Sequence, residues 1–292
     1  MNKTISIIIV TYNSDDLILD CLKSIYTNND IGDKLEVIVV DNMSKNVESM
    51  FSKIFEIYGN KVTLIKNSRN GGYGQGNNVG INASTAPIIM IMNPDVRLIS
   101  PIFNKVNMHF SDPTVAMLGM RQMVSHSKQG NSFSYYDLTF PFYNLFINKL
   151  TNKLQIYNQQ KMYIEGAAFF IRKNIFEEIG LFDENLFMYG EEKDVHYRLM
   201  KYNKPIEIVY DKSLKYIHLV ENRTFSTKQF RDIIQSDLIL CDKYKIDKNY
   251  YLKKRFKIEK AFIFIESIRC NQNKRQFHKE MVEYLSELKK SL

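Results

Sequence analysis

Two acidic residues stand just after segments whose apolar character is typical of buried strands. Asp95 comes after the run Ile88 to Met92 and a short Asn-Pro turn, and Asp41 comes after the run Leu35 to Val40. An open α/β sheet presents ligand groups at the carboxyl edge of its strands. We therefore expect Asp95 to lie against a divalent metal that carries a phosphorylated donor. The alternative is that Asp95 only caps the segment after the turn.

A second group of acids stands at the start of a predicted helix. Glu191, Glu192 and Asp194 fall in its first turn, and Val195 and Leu199 give it an apolar side. Three carboxylates on one turn are candidate functional residues. The alternative is structural, because the helix dipole favours acids at this end by a few tenths of a kcal/mol each.

Residues 70–80 contain five glycines, so the backbone there must reach conformations or approaches that a Cβ would forbid. We expect a loop that opens onto a helix over Asn77 to Ala83, near a phosphorylated ligand. A purely structural loop is the alternative. The spacing does not match the dinucleotide fingerprint, because the last position after Gly72 or Gly74 is not a small residue.

The elements that must position these residues alternate between strands and helices. Alternating buried strands and helices predict right-handed βαβ units and an α/β fold. The predicted strands are Ile5 to Val10, Leu35 to Val40, Val62 to Ile65, Ile88 to Met92, Val115 to Met120, Tyr163 to Arg172, Ile206 to Tyr210 and Leu214 to Leu219, and the helices begin near Asp15, Val47, Asn77, Ile102 and Glu191.

Residues 124–160 lack a regular pattern and are rich in aromatic side chains over 135–147. Such a stretch predicts a lid or a binding surface. A pair of short buried helices is the alternative. The predicted strand that follows carries Gly166 at its centre, where a ligand or another backbone can come close. His218, on the last strand, is either a site residue or a core histidine.

Composition bounds the class of protein. Of 292 residues, 45% are apolar and 25% are charged, which is ordinary for a soluble chain. No run reaches the roughly 18 apolar residues that a membrane-spanning helix needs. The N-terminus lacks a signal-peptide layout, and the three cysteines are far apart. We therefore expect a cytoplasmic protein.

The formal charge of +8 is concentrated in the C-terminal tail, where residues 243–292 hold 14 Lys or Arg against 6 Asp or Glu. A basic helical tail can attract nucleic acid or anionic lipid. The alternative is a solvated helix face.

An ordered set of short motifs resembles the family 2 glycosyltransferases, and among them the bacterial rhamnosyltransferase-like branch. The resemblance covers about residues 4 to 220, and it rests on the order of six motifs rather than on any single one. They are Val10-Thr-Tyr-Asn13, Val40-Asp-Asn42, Asn70 through Gly80, Asn93-Pro-Asp95, Gly166-Ala-Ala-Phe-Phe-Ile-Arg172 and Phe182-Asp-Glu184 through Arg198.

The resemblance implies a GT-A fold with a mostly parallel nucleotide-binding sheet flanked by helices. We expect this domain over residues 1–225, with a nucleotide-sugar-binding half over 1–120 and an acceptor half over 121–225. The basic helical tail, 226–292, lies outside the resemblance.

The resemblance also implies roles for individual residues. Asp95 matches the last acid of a motif that holds Mg²⁺ or Mn²⁺ on the donor diphosphate, and His218 matches a position near that metal. Asn93 replaces the first acid of the motif, so the metal would have few protein ligands. The expected donor-binding residues are Thr11, Tyr12, Asn13, Asp41, Asn70, Gly72, Gly74, Asn78 and Asn93.

In the family, the acid pair that opens the later helix carries the catalytic base. Glu191-Glu192 stands where Glu-Asp is more usual. We expect Glu192 to be the base, with Glu191 and Asp194 orienting the acceptor or raising the pKa of Glu192 by like-charge repulsion.

The expected activity is metal-dependent, inverting transfer from dTDP-rhamnose or a UDP-hexose to a cell-surface glycan, lipid-linked in our interpretation. The alternative is a catalytically idle GT-A module that binds a nucleotide or a partner enzyme. We expect no nucleic-acid partner. Contact of the tail with the inner face of the cell membrane, and a homodimer, are left open.

Overall fold

The computed structural model describes residues 2–136, 141–220 and 226–291. Strands and helices alternate through its first half, and three long helices end it. The strands are β1 (Ile5–Thr11), β2 (Leu35–Asp41), β3 (Val62–Lys66), β4 (Ile88–Met92), β5 (Val96–Leu98), β6 (Val115–Met123), β7 (Phe133–Tyr135), β8 (Met162–Ile164), β9 (Ala168–Arg172) and β10 (Glu207–His218). The helices are α1 (Asp15–Thr27), α2 (Val47–Tyr58), α3 (Gly72–Ala83), α4 (Phe103–His109), α5 (Pro141–Leu154), α6 (Lys173–Glu178), α7 (Glu191–Met200), α8 (Thr227–Tyr244), α9 (Lys248–Ile268) and α10 (Gln272–Ser291).

The main sheet has the strand order β3-β2-β1-β4-β9-β6-β10-β5, and β7 and β8 form a separate pair. Strands β3, β2, β1 and β4 are mutually parallel, and so are β6 and β10. Strand β9 runs antiparallel to both of its neighbours, β4 and β6. This arrangement is the mostly parallel, helix-flanked α/β sheet that the sequence predicts.

Helices cover both faces of the sheet. Successive residues of β1 alternate between the two layers, with Ile7 and Ile9 facing α1, α2 and α4, and Ile8 facing the side of α3, α6 and α7. A third apolar cluster joins α8, α9 and α10 to one another.

The glycine-rich stretch is a helix, so the prediction of a loop before Asn77 is wrong. Helix α3 begins at Gly72, and its glycines let the backbone lie close to the sheet. A Cβ on Gly80 would lie 2.4 Å from Ile8 Cγ2, and one on Gly76 would lie 2.8 Å from Val10 Cγ1. Gly76 and Gly80 are therefore required by packing against the sheet, whereas Gly72 has a φ of 89° that favours glycine.

The predicted strands over 163–172 and 206–219 differ from the structure, and one strand of the main sheet was not predicted. The segment predicted as one strand over 163–172 is split, because residues 165–167 leave the hairpin strand β8 before β9 enters the main sheet. The two predicted strands over 206–219 are one strand, β10, with a bulge between Asp211 and Lys215. Strand β5, only three residues long, was not predicted.

In the described part of residues 124–160 the chain forms the strand β7 and the helix α5, so the stretch is more regular than its sequence pattern indicates. Of the aromatic stretch 135–147, residues 137–140 lie outside the described residues. The tail is helical, as expected, and within the described part of the chain no helix is both long and apolar enough to cross a membrane.

Packing of α3 on the sheet makes the effect of Gly80→Ala predictable. The new methyl group would overlap Ile8, whose branched side chain cannot turn away without disturbing β1. We expect the free energy of unfolding to fall by about 1–3 kcal/mol. Urea denaturation measures this, with Asn82→Ala on the exposed side of α3 as the control. Unchanged stability of Gly80→Ala would contradict the close approach.

Candidate active site

The pairing of two strands places Asp95 beside His218. Asp95 directly precedes β5, and Val96 of β5 lies opposite His218 of β10. The distance between Asp95 Oδ2 and His218 Nε2 is 3.3 Å, and both side chains are largely buried. His218 Nδ1 lies 3.3 Å from Gln122 Oε1, which also accepts a hydrogen bond from Tyr216.

The carboxylate and the imidazole of this pair are both groups that can bind a divalent cation. The buried His218 Nε2 makes no hydrogen bond within the described residues, although it faces the carboxylate of Asp95. No group of three or more His, Cys, Asp or Glu side chains in the described residues could hold a metal. Mg²⁺ commonly takes one or two carboxylates and completes its shell with substrate phosphates and water. Asp95 and His218 therefore suit a metal that is bound together with a diphosphate.

A second strand pairing connects this pair to the acid at the start of α7. The antiparallel pair β4–β9 lets Asn93 N donate to the carbonyl oxygen of Ala167 at 2.9 Å. The adjacent residue, Gly166, lies against the carboxylate of Glu192. A Cβ on Gly166 would be 1.7 Å from Glu192 Oε1, so only glycine leaves room for that carboxylate.

One cavity of about 700 Å³ is lined by the acids Glu191 and Glu192 and also by Asn93 and His218. The other residues of its wall are Tyr73, Gln122, Val124, Gly130, Asn131, Tyr163, Glu165, Gly166, Ala167, Met188, Tyr189, Gly190, Lys193, Val220, Ile233 and Asp237. Asp95 is not part of the wall and reaches the cavity through its contact with His218. The cavity is large enough for a sugar acceptor.

Burial changes the acid chemistry of α7. It raises the pKa of Glu192 to about 7, and the charge of Glu165 adds to this effect. Burial and the neighbouring Glu192 raise the pKa of Glu191 well above its ordinary range. Glu191 Oε1 is buried and has no hydrogen-bond partner in the described residues. A carboxylate with a pKa near 7 is suited to general base catalysis at neutral pH.

Glu165 is a third carboxyl group in the cavity, and the sequence reasoning missed it. It lies in the short connection between β8 and β9 and accepts a hydrogen bond from Ser134 Oγ at 2.5 Å. Burial raises its pKa above the ordinary value. Its position directly before Gly166 could have indicated a site residue. The prediction of one continuous strand over 163–172 gave no reason to place Glu165 in a cavity.

Asp194 is held outside the cavity by cations and a tyrosine. Its Oδ2 accepts from Arg198 Nη2 at 2.6 Å, and its Oδ1 pairs with Lys243 Nζ at 2.7 Å. Tyr244 also donates to Oδ1. Since Lys243 and Tyr244 belong to α8, this carboxylate fastens α7 to α8.

At the carboxyl ends of β1 and β2, Thr11 and Asp41 lie opposite each other in register. Thr11 Oγ1 donates to Asp41 Oδ1 at 3.1 Å, and Ser44 N donates to Asp41 Oδ2 at 2.8 Å. Asn13 Oδ1 accepts from the backbone of Lys45 at 3.1 Å. Tyr12 is 54% exposed beside this buried group. The structure thus brings these predicted residues together, with Ser44 as a member that the sequence did not reveal.

The predicted residues of α3 face a different neighbour. Asn70 Oδ1 accepts from Gly72 N at 3.1 Å and starts the helix. A Cβ on Gly72 would lie 2.1 Å from the carbonyl oxygen of Phe187, and one on Gly74 would lie 3.0 Å from Phe182 Cβ. The amide of Asn78 both donates to and accepts from the backbone of Phe182, at 3.0 Å each. These residues hold the segment that leads into α7.

Helix α8 contributes to the cavity wall through an ion pair. Lys193 Nζ lies 2.8 Å from Asp237 Oδ1, and Tyr251 OH donates to Asp237 Oδ2 at 2.6 Å. Ser236 Oγ donates to the carbonyl oxygen of Met188 at 2.9 Å. The cavity is therefore closed on one side by a helix of the tail.

The sequence profile described as "Glycosyltransferase like family 2" matches residues 2–234. The chain belongs to this family. The matched range contains Asp95, Glu192 and His218, and it ends within α8.

Two relatives and one solved structure show what this family member resembles. It is 27% identical over 216 residues to the low-salt glycan biosynthesis hexosyltransferase Agl10 of Haloferax volcanii, a match that covers 70% of this chain and only 64% of Agl10. It is 25% identical over 231 residues to the dTDP-rhamnosyl transferase RfbF of Shigella flexneri, covering 77% and 72%. The mannosyltransferase PcManGT of Pyrobaculum calidifontis, solved with GDP-Man and Mn²⁺, superposes with a TM-score of 0.59 at 16% identity, covering 98% of this chain and 85% of that one. This likeness confirms the GT-A fold.

The raised pKa of Glu192 predicts a pH-dependent stability difference. Between pH 4.5, the ordinary value, and about 7, the folded state holds a proton that the unfolded chain has released. This residue's contribution to the free energy of unfolding therefore falls as pH rises through that range. We expect Glu192→Gln to be more stable than the wild type by about 1–3 kcal/mol at pH 8.

At pH 4 the two proteins should be equally stable, because both states of the wild type are then protonated at this residue. Urea denaturation at the two pH values measures the difference. An equal stability gain at both pH values would show that Glu192 is not destabilised by burial of its charge.

Proposed function

We propose that this family 2 glycosyltransferase transfers a sugar from a nucleotide sugar to a hydroxyl group of a cell-surface glycan, with inversion at the anomeric carbon. The observation that carries the proposal is the position of Glu192. Its carboxylate lies over Gly166 in a cavity that Asn93 and His218 also line. A base with a pKa of about 7 thus shares one cavity with His218, whose Nε2 lies 3.3 Å from Asp95 Oδ2.

In the proposed reaction, the acceptor hydroxyl attacks the anomeric carbon while its proton passes to Glu192. The bond between that carbon and the phosphate oxygen breaks, and the nucleoside diphosphate leaves. Asp95 and His218 would hold Mn²⁺ or Mg²⁺, which neutralises charge on the diphosphate when bound. Glu191, whose unpartnered oxygen is at the cavity wall, would contact the acceptor.

For the donor, we propose that the exposed ring of Tyr12 contacts the nucleoside and that Thr11, Asn13 and Asp41 order the loop around it. Their hydrogen bonds to each other and to residues 44–45 support this division of roles. Asn93 would face the donor from the end of β4. In the same proposal, Asn70, Gly72, Gly74 and Asn78 position the segment 182–187, and Asp194 positions α7 against α8.

The donor is proposed to be dTDP-rhamnose or a UDP-hexose, and the acceptor a lipid-linked glycan at the cytoplasmic side of the cell membrane. Support comes from the relatives, since Agl10 is named a hexosyltransferase of glycan biosynthesis and RfbF a dTDP-rhamnosyl transferase. We place α8 with the catalytic domain, because Asp237 and Ile233 form part of the cavity wall.

Replacing the proposed base tests the reaction directly. We expect Glu192→Gln to lower turnover of the accepted donor by roughly 10²–10⁴-fold, the usual contribution of a general base. Wild-type kcat/KM should rise with pH up to about 7 as Glu192 loses its proton. Gly166→Ala, which displaces the same carboxylate, should also lose activity although Glu192 remains.

The control is Glu207→Gln, a matched change at an exposed position at the start of β10. It should leave turnover unchanged. If Glu192→Gln kept wild-type turnover, the assignment of the base would be wrong. If no nucleotide sugar were turned over but a nucleotide still bound, the idle binding module would replace this proposal.

The metal pair has its own test. We expect a nucleoside diphosphate, selected by screening dTDP, UDP and GDP, to raise the thermal midpoint more in the presence of MnCl₂ than of EDTA. Asp95→Asn should lower the affinity of the site for Mn²⁺ roughly tenfold or more, because one of two protein ligands loses its charge. The rise of the thermal midpoint that depends on Mn²⁺ should become smaller accordingly. Asp33→Asn, on the surface near the amino end of β2, is the matched control. Binding that is indifferent to Mn²⁺ would contradict the metal site.

A further inference from the structure

The outer face of α9 carries a regular row of basic and apolar side chains. Tyr250, Lys253, Lys257, Lys260, Phe264 and Ile268 are all exposed and recur at intervals of three or four residues, so they form one line along the helix. We call this line the basic stripe. At 1.5 Å per residue it is about 27 Å long.

The opposite side of α9 is fixed in the interior of the tail. Tyr251, Leu252 and Ile258 are buried in the apolar cluster of α8, α9 and α10. Tyr251 also donates to Asp237 in the cavity wall. The basic stripe is therefore presented by a helix whose orientation is set by its packing.

All the acids of α9 face inward. Glu259 and Glu266 are 3% and 4% exposed, and their partners are His278 and Arg269. In the described residues, no carboxylate lies within ion-pairing distance of the three stripe lysines. The exposed face of α9 is therefore uniformly positive.

Helix α10 has a different surface, which makes the stripe stand out. Lys279 and Lys289 are exposed there together with Glu283 and Glu287, so charges of both signs are mixed. Mixed charge is typical of a helix face that only meets water. On α9, by contrast, Phe264 and Ile268 are each 68% exposed in line with lysines that form no ion pair within the described residues.

We propose that the basic stripe docks the protein on an anionic lipid bilayer, with α9 parallel to the surface. The lysines would meet the headgroup phosphates, while Phe264 and Ile268 enter the boundary with the acyl chains. A nucleic-acid backbone complements the lysines but offers no apolar layer for these two side chains. The proposal rests on the contacts of the tail alone, so it stands or fails independently of the proposed reaction.

Vesicle co-sedimentation tests the proposal with the full chain. We expect binding to vesicles of phosphatidylglycerol and phosphatidylcholine, little binding to pure phosphatidylcholine, and release in 0.5 M NaCl. Each lysine near an anionic surface contributes about fivefold to partitioning. Changing Lys253, Lys257 and Lys260 together to Gln should therefore lower the partition coefficient by about 100-fold.

The matched control removes three exposed lysines from elsewhere, Lys23, Lys53 and Lys61, also to Gln. It should lower binding by less than about threefold, because these residues lie outside the stripe. If both triple variants lost the same amount of vesicle binding, the vesicles would be attracting the net charge of the protein rather than the basic stripe. Failure of the wild type to bind anionic vesicles, or preference for duplex DNA with the same lysine dependence, would overturn the proposal.

A second measurement leaves the lysines intact. The chain contains no tryptophan, so Phe264→Trp introduces a single reporter. Its fluorescence should shift to the blue on anionic vesicles, whereas that of Phe55→Trp, at a comparably exposed position on α2, should not. An unshifted Phe264→Trp spectrum under conditions where the protein sediments with vesicles would exclude the stripe as the contact.

Discussion

The antiparallel pairing of β9 with β4 brings together two segments that are far apart in the chain. It places Asn93, at the end of β4, against Ala167 by a backbone hydrogen bond. Gly166 is thereby fixed beneath Glu192, where its missing side chain leaves room for the carboxylate. The candidate metal pair depends on a second pairing, of β5 with β10, which sets Asp95 opposite His218. Strand register therefore helps to determine the separation between Glu192 and the pair of Asp95 and His218, because neither group lies on a long flexible loop.

The second constraint is the burial of several acids in one cavity. Burial raises the pKa of Glu165, Glu191 and Glu192, although only Glu191 is almost completely buried. The charge of Lys193 lowers the pKa of all three but does not offset their burial, and Lys193 also forms an ion pair with Asp237. Such an arrangement costs stability in the charged state, and it leaves a carboxylate that can accept a proton near neutral pH. The stability is recovered elsewhere, in the apolar layers on both faces of the sheet.

Hydrophobic pattern was sufficient to predict most of the sheet. Strands β1, β2 and β4 are predominantly apolar and are each ended or directly followed by a polar residue, and α2 has the predicted bounds Val47–Tyr58. The pattern could not reveal β5, because three residues carry no periodicity, nor the break between β8 and β9, because Gly166 and Ala167 are apolar in both settings. The glycines of α3 predict a loop because glycine has a low helix propensity, which is a local property. In the structure the segment is a helix, and Ile8 and Val10 of β1 leave room only for glycine at Gly80 and Gly76. Among the predicted site residues, the structure brings Glu192, Asn93 and His218 to one cavity and keeps Asp194 outside it.

Helix α8 connects the tail to the chemistry. Its residues reach the segment before α7 through Ser236 and Met188, α7 itself through Lys243 and Asp194, and the cavity through Asp237. A displacement of α8 would therefore move the helix that carries Glu192. Because Tyr251 links α9 to the same Asp237, the orientation of the basic stripe and the shape of the cavity are set by one packed unit. These contacts cross the boundary at residue 225 that the sequence suggests between a catalytic domain and a tail. A cut at that position would remove Ile233 and Asp237 from the cavity wall and would break the ion pair of Lys243 with Asp194.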